Sequence, residues 1–174
     1  MSKSVIVSIR PERCAKIASG EKIIEVRKTR PNLPTPFKCY IYCTAGWIKK
    51  MPTDYLDENF EREKVIGEFV CDNVLDVCIS ISNPKMVKEA YPFPGTGLTD
   101  LEILNYLGNG GYGYGWHISN LKIYDSPKSL SAFHHPCTPA CNFSEECGGV
   151  QDGGHCLFPM KRPPQSWCYV EELI

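Results

Sequence analysis

No apolar run in this sequence approaches the length needed to span a bilayer, and its opening, MSKSVIVSIR, is too short and too interrupted by charge for a signal peptide. Membrane insertion and secretion are not expected; a cytoplasmic location is. An excess of positive charge is missing too. Nineteen Lys and Arg face 20 Asp and Glu, for a formal net charge of −1, and the pI is near 6.4. That balance excludes a broad, non-specific grip on nucleic-acid phosphates and leaves room only for a local basic patch. Internal repeats and low-complexity tracts are absent, which removes solenoids and arrays. What is there is 174 residues with 43% hydrophobic content, enough for a single domain, 1–174, with a sizeable core.

SVIVSIR (4–10) reads as a β-branched strand. PERCAKIASG follows as a helix, with Pro11 suited to the first helical position and Gly20 to the left-handed place just past the end. KIIEVRK is the next strand, then the Pro-rich turn TRPNLPTP. FKCYIYCTA (37–45) alternates, with Phe37, Cys39, Ile41 and Cys43 on one face and Lys38, Tyr40, Tyr42 and Thr44 on the other. GWIKKMPTDYLDENFEREK reads as a loop with a helical turn. VIGEFVCDNVLDVCIS (65–80) is a long strand, bent near Asp72 and Asn73. After the rigid loop YPFPGTG, the segment LTDLEILNYLG carries a capping box, Thr99 with Glu102, backed by Leu101, Leu104 and Leu107 and closed by Gly108. NGGYGYGWHISNLKIYD runs from a glycine-rich turn into a strand, and QSWCYVEEL (165–173) is the last strand. Strands outnumber helices and the crossovers are irregular. The expected fold is α+β: a mixed β pseudo-barrel with helices packed outside it.

GEKIIEVRKTRP (20–31) threads Lys22, Glu25 and Arg27 through apolar residues. On a strand, Glu25 and Arg27 share a face with Ile23 and can pair through a charge-assisted hydrogen bond; Lys22 points the other way unless the chain bends at Gly20. A buried pair must be mutually satisfied, since an unpaired ion there costs several kcal/mol. A carboxylate beside guanidinium donors suits the edge of a nucleobase. The plainer alternative is an ion pair that fixes strand register, with Lys22 solvated; as a site residue too, a lysine at the strand start is expected to add little to the core, so that its loss removes binding and not stability.

Gly20, Lys22, Glu25 and Arg27 fit the pattern G-x-K-x-x-E-x-R, and with YIYCTA, VIGEFVCD, YGWHISNLKIYD and RPPQSWCYVEEL the chain resembles the ASCH domain, a branch of the PUA-like superfamily, in the form common in bacteria and their prophages. The resemblance covers roughly 4–133 and 161–174. It implies a PUA-like pseudo-barrel that binds RNA or a modified nucleobase, with Lys22, Glu25 and Arg27 at the site. One ASCH branch hydrolyses N4-acetylcytidine with a Lys and a Thr of this strand and an acidic residue before the later helix. Lys22 matches the lysine, Glu25 stands where the Thr would be, and YPFPGTG offers no carboxylate. Two of three roles are unmatched. A catalytic Lys22 also needs a pKa depressed by burial or by a neighbouring cation such as Arg27.

Tyr112, Tyr114 and Trp116 alternate, so they share a strand face that can stack bases; the alternative is that Trp116 is core and the tyrosines cap a barrel end. His117 has no Ser or Cys nucleophile next to it in sequence, and Ser119, two residues on, shares its face. Ser8, followed by Arg10, is a weaker site candidate. Tyr114, Trp116 and Ser119 join Lys22, Glu25 and Arg27 as expected binding residues.

HHPCTPACNFSEECGGVQDGGHC, within an insert at 134–160, holds Cys137, Cys141, Cys147 and Cys156 at spacings x3, x5 and x8. Its few large apolar residues cannot fold it by burial, so a cross-link is needed. Without a signal peptide, thiols or metal ligands are expected ahead of disulfides. Four thiolates make a closed, structural zinc site, with His155 or His135 as a substitute ligand. An iron–sulfur cluster and a loop of free thiols remain as alternatives. The other cysteines, Cys14, Cys39, Cys43, Cys71, Cys78 and Cys168, read as small buried hydrophobes.

Three functions follow. The first is a module that binds RNA or a modified nucleobase in a cleft lined by Lys22, Glu25, Arg27 and Trp116. The second is a nucleoside amidohydrolase or ribonuclease in the same cleft, using Lys22. The third is a phage-type protein-interaction factor whose cysteine-rich insert meets a protein partner. Near-neutral charge favours a compact site over a long nucleic-acid track.

Overall fold

In the computed structural model, which describes residues 3–45, 62–78, 94–108, 111–136 and 155–172, the chain runs β1 (Ser4–Ile9), α1 (Pro11–Ala18), β2 (Ile24–Arg27), β3 (Phe37–Cys43), β4 (Lys64–Cys78), α2 (Asp100–Leu107), β5 (Tyr112–Lys128), β6 (Phe133–Pro136), β7 (His155–Pro159) and β8 (Trp167–Glu172). The described strands form one sheet in the order β2-β5-β4-β3-β1-β8-β6-β7. β1 and β3 are parallel, and the other described pairs are antiparallel.

The sheet curls. β2 and β1 stand four ladder steps apart in that order, about 19 Å in a flat sheet at the usual strand spacing. Yet Arg27 on β2 donates from Nη2 to Ser8 O on β1 at 2.7 Å. Side chains, not a ladder, close this seam, which gives an α+β pseudo-barrel.

β1 and β3 are buried on both faces. Val5, Val7, Ile9, Phe37, Cys39, Ile41 and Cys43 pack with Cys14 and Ile17 of α1, with Phe69 and with Trp116. Ile6, Tyr40 and Tyr42 face a second core with Val65, Leu130, Phe133, Met160 and Val170. The alternation in 37–45 therefore separates two interiors, and a 3-10 turn at Leu130–Ala132 helps cover the second.

Local signals explain the helices. Pro11 occupies the start of α1, and Gly20, just beyond it, takes φ 78°, a conformation cheap only for glycine. α2 is opened by both halves of the capping box, with Thr99 accepting from Glu102 N and the Glu102 carboxylate accepting from Thr99 N. Its buried residue is Ile103; Leu101, expected on the apolar side, is 50% exposed. The expected bend in β4 is a register shift against β5 between Cys71 and Val74.

The stretch 46–61 of the expected loop lies outside the described residues, as do Cys137, Cys141, Cys147 and the side chain of Cys156. The ends of the 134–160 insert belong to the sheet: β6 pairs with β7, setting Pro136 opposite His155, and with β8. Cys14, Cys39, Cys43 and Cys71 are buried as expected, whereas Cys78 is exposed. No described helix is long and apolar enough to cross a membrane.

Candidate functional site

Lys22, Glu25 and Arg27 converge because only two of them sit on the strand. β2 begins at Ile24, so Glu25 and Arg27 share a face by the two-residue period. Lys22 lies before it, where Lys22 N bonds to Lys16 O and Ile23 N to Gly95 O. Free of the strand's alternation, the lysine side chain turns inward.

The result is a buried triad. Arg27 Nη2 meets Glu25 Oε1 at 2.7 Å, and Lys22 Nζ meets Glu25 Oε2 at 3.2 Å. Lys22 Nζ also donates to Ile24 O at 2.6 Å and to Thr96 O at 2.9 Å. Lys22 is 2% exposed, Glu25 6% and Arg27 7%. The expectation that Lys22 adds little to the core is corrected, and the alternative of a solvated Lys22 falls with it: the loop before α2 covers it, and its ammonium ties that loop to β2.

Burial pushes the Glu25 carboxyl up, but the Arg27 and Lys22 charges outweigh it and hold Glu25 below the usual carboxylate range. Burial also pulls Lys22 below its ordinary value, against the opposing pull of Glu25. These directions conflict, since one favours an ion pair and the other a neutral amine. The hydrogen bonds decide it. Three acceptors match the three protons of an ammonium, so Lys22 is charged.

The triad forms the inner wall of a cleft of about 710 Å³, completed by Ile9, Arg10 and Arg13 around the start of α1, by Glu102, Asn105 and Tyr106 on α2, and by Gln165 before β8. Arg13 joins the two helices, donating to Gly97 O at 2.9 Å and to Glu102 Oε1 at 3.0 Å. Arg27 reaches across the seam to Ser8 O, and its Nη1 lies 3.4 Å from both Ser166 O and Ser166 Oγ. Its Nε is buried without a hydrogen-bond partner among the described residues.

The fold has counterparts among solved structures. Crystal structures of the ASCH protein from Zymomonas mobilis and of two of its point mutants match with TM-scores of 0.55–0.56 at 15–16% identity, over 97% of this chain and 87–90% of theirs. The chain has the ASCH fold. No family model and no curated protein matches it.

Of the remaining candidates, Ser8 and the Arg10 that follows it line the cleft, whereas Tyr114, Trp116, His117 and Ser119 do not. Trp116 pairs with Glu25 across the ladder, but it is fully buried, edge-on to Phe37 at 5.8 Å and to Trp167 at 5.9 Å. It has no face to offer a base, and the expectation that it lines the cleft is corrected. Tyr114 packs against Tyr112. Ser119 Oγ donates to Val70 O at 2.8 Å, and His117 Nδ1 lies 2.6 Å from Asp72 Oδ1, all outside the cleft lining. Among the described residues no group of three His, Cys, Asp or Glu is placed to hold a metal ion. Arg13, Asn105, Tyr106 and Gln165 were not singled out from the sequence. Only the Asn105–Tyr106 position on α2, one turn beyond Glu102, gave a local signal for them.

Proposed function

We propose that this protein binds a single nucleobase, of RNA or of a modified nucleoside, in the cleft walled by Lys22, Glu25 and Arg27. The observation that carries this reading is a carboxylate and a guanidinium set side by side on the cleft wall, with Glu25 Oε1 2.7 Å from Arg27 Nη2. The edge of a base carries both acceptors and amino donors that suit such a pair. Glu25, kept ionised by its two cations, offers acceptor lone pairs to the amino groups of the same edge. Tyr106 lines the cleft and is partly exposed; one face of its ring lies under Lys28 Nζ at 5.6 Å, and a base stacked on the other would gain about 1–3 kcal/mol.

A hydrolase or ribonuclease using Lys22 is the second reading, supported by the downward pull of burial on that amine. It requires Lys22 to release one of three hydrogen bonds before it can act as base or nucleophile. Titration with a panel of ribonucleosides, acylated nucleosides and short RNAs, followed by mass spectrometry of each mixture, separates the readings. Binding without conversion is expected. Conversion that is lost in Lys22→Arg would favour the enzyme, and no binding at millimolar ligand would end both.

We also propose that Cys137, Cys141, Cys147 and Cys156 hold one structural zinc ion. The support is the poverty of apolar residues in this segment and the β6–β7 ladder that brings its two ends together.

A further inference from the structure

The cleft is more cationic than the chain that contains it. Arg10, Arg13, Lys22 and Arg27 line it against two carboxylates, Glu25 and Glu102, in a protein of net charge −1. The pairing shows where the surplus sits. Lys22 and Arg27 share the one carboxylate of Glu25, so the triad keeps a positive charge. Arg13 and Glu102 cancel each other. Arg10 is exposed, its side chain does not cap α1, and no hydrogen bond or ion pair engages it among the described residues.

Two uncompensated charges thus line one cavity, one shared by the buried Lys22–Glu25–Arg27 triad and one at the exposed Arg10. The first turn of α1 between them adds the positive end of a helix dipole, offset in part by Glu12. The cavity, at about 710 Å³, lies in the range of about 300–1,000 Å³ that encloses whole small ligands and exceeds what a base alone fills.

We infer that the cleft holds a phosphate as well as a base: its ligand is a nucleotide unit, with the phosphate held by Arg10 in the positive field of the Lys22–Glu25–Arg27 triad. The inference rests on the nucleobase reading above and adds the chemical class of the ligand. Guanidinium groups suit this task because their planar forks match phosphate oxygens, and Arg10, having no other partner, forfeits nothing by turning to one. A single such subsite also fits a near-neutral protein, which needs no extended basic track to find one phosphate.

The test is calorimetric titration of the full chain with each ribonucleoside, its 5′- and 3′-monophosphates, and inorganic phosphate. At least one monophosphate is expected to bind about tenfold or more tightly than its nucleoside, as for an added charge-assisted contact. That preference should shrink with rising salt, and inorganic phosphate should compete. In Arg10→Ala the ratio of nucleotide to nucleoside affinity should fall towards one, and Arg10→Lys should recover part of it. Lys122→Ala, which removes an exposed positive charge outside the cleft lining, should keep the wild-type ratio. If nucleosides bind and phosphate adds nothing, the phosphate subsite is overturned while the base site stands. An equal fall of the ratio in Lys122→Ala and Arg10→Ala would reduce it to long-range charge and overturn it too. Absence of binding by nucleosides, nucleotides and short RNA alike would overturn both.

Discussion

Lys22 donates three hydrogen bonds from a place solvent barely reaches, so its loss leaves Ile24 O, Thr96 O and the Glu25 carboxylate each short of a partner. Breaking a buried ion pair from one side typically costs about 3–5 kcal/mol. Lys22→Ala is expected to fall in that range by chemical denaturation, and a loss under 1 kcal/mol would show that the ammonium is not a structural tie. Glu25 gives a pH signature with a definite sign. Its folded pKa lies below the unfolded value, so the folded state binds fewer protons in the acid range. The stability it contributes is fully present above the ordinary carboxylate pKa and is lost as pH falls through the folded value. Denaturation midpoints measured from pH 7 downward should decline below about pH 4.3, and Glu25→Gln should flatten that decline. The Glu25–Arg27 contact was legible in the sequence because it needs only the two-residue period of a strand. The burial of Lys22 was not, because Thr96, its acceptor, lies 74 residues away.

Between residues and the whole, α2 forms one wall of the site. One end is fixed by the capping box, one flank by the Arg13–Glu102 pair, and its buried contact is Ile103, packed with Val26 and Val77. Thr99→Ala removes the cap and is expected to cost about 1 kcal/mol, read as a lowered thermal midpoint. The same change frees Glu102 from Thr99, so the α2 wall should loosen and ligand affinity should drop with it; an unchanged midpoint would show that the cap is redundant with the Arg13 tether. Both helices were legible, since proline, glycine and the capping box mark their ends by local chemistry. The orientation of α2 was not. Three leucines outweigh one isoleucine in a count of apolar residues, but the fully buried place under this short helix fell to Ile103, with Leu107 packed half-buried beside it. Similarly, Tyr112, Tyr114 and Trp116 were placed on one face by alternation, and nothing local tells whether that face meets a ligand or a core.

For the molecule as a whole, the α+β class could be read from the run of strands, whereas their order could not, since β1 pairs with β3 on one side and with β8 on the other. The cysteine-rich text of 134–160 also concealed that its flanks are strands. If zinc holds the centre of that segment, purified protein should contain about one zinc per chain, and chelation should melt the segment first, because metal affinity there is local folding energy. Metal content well below one per chain, with the four thiols freely alkylated, would remove the site. The long-range seam has a consequence for how the protein is made. Ser8 Oγ bonds to Pro164 O across 156 residues of sequence, and Arg27 reaches Ser166 across 139. At translation rates of about 5–20 residues per second, Arg27 leaves the ribosome on the order of 10 s before its partner exists. Through that interval Arg27 has its Ser8 contact but not Ser166, and the cleft wall is completed only when Gln165 arrives. A chain cut before Gln165 and Ser166 lacks part of the cleft wall and of the seam, and under the proposed function it should bind its ligand less tightly than one that carries them.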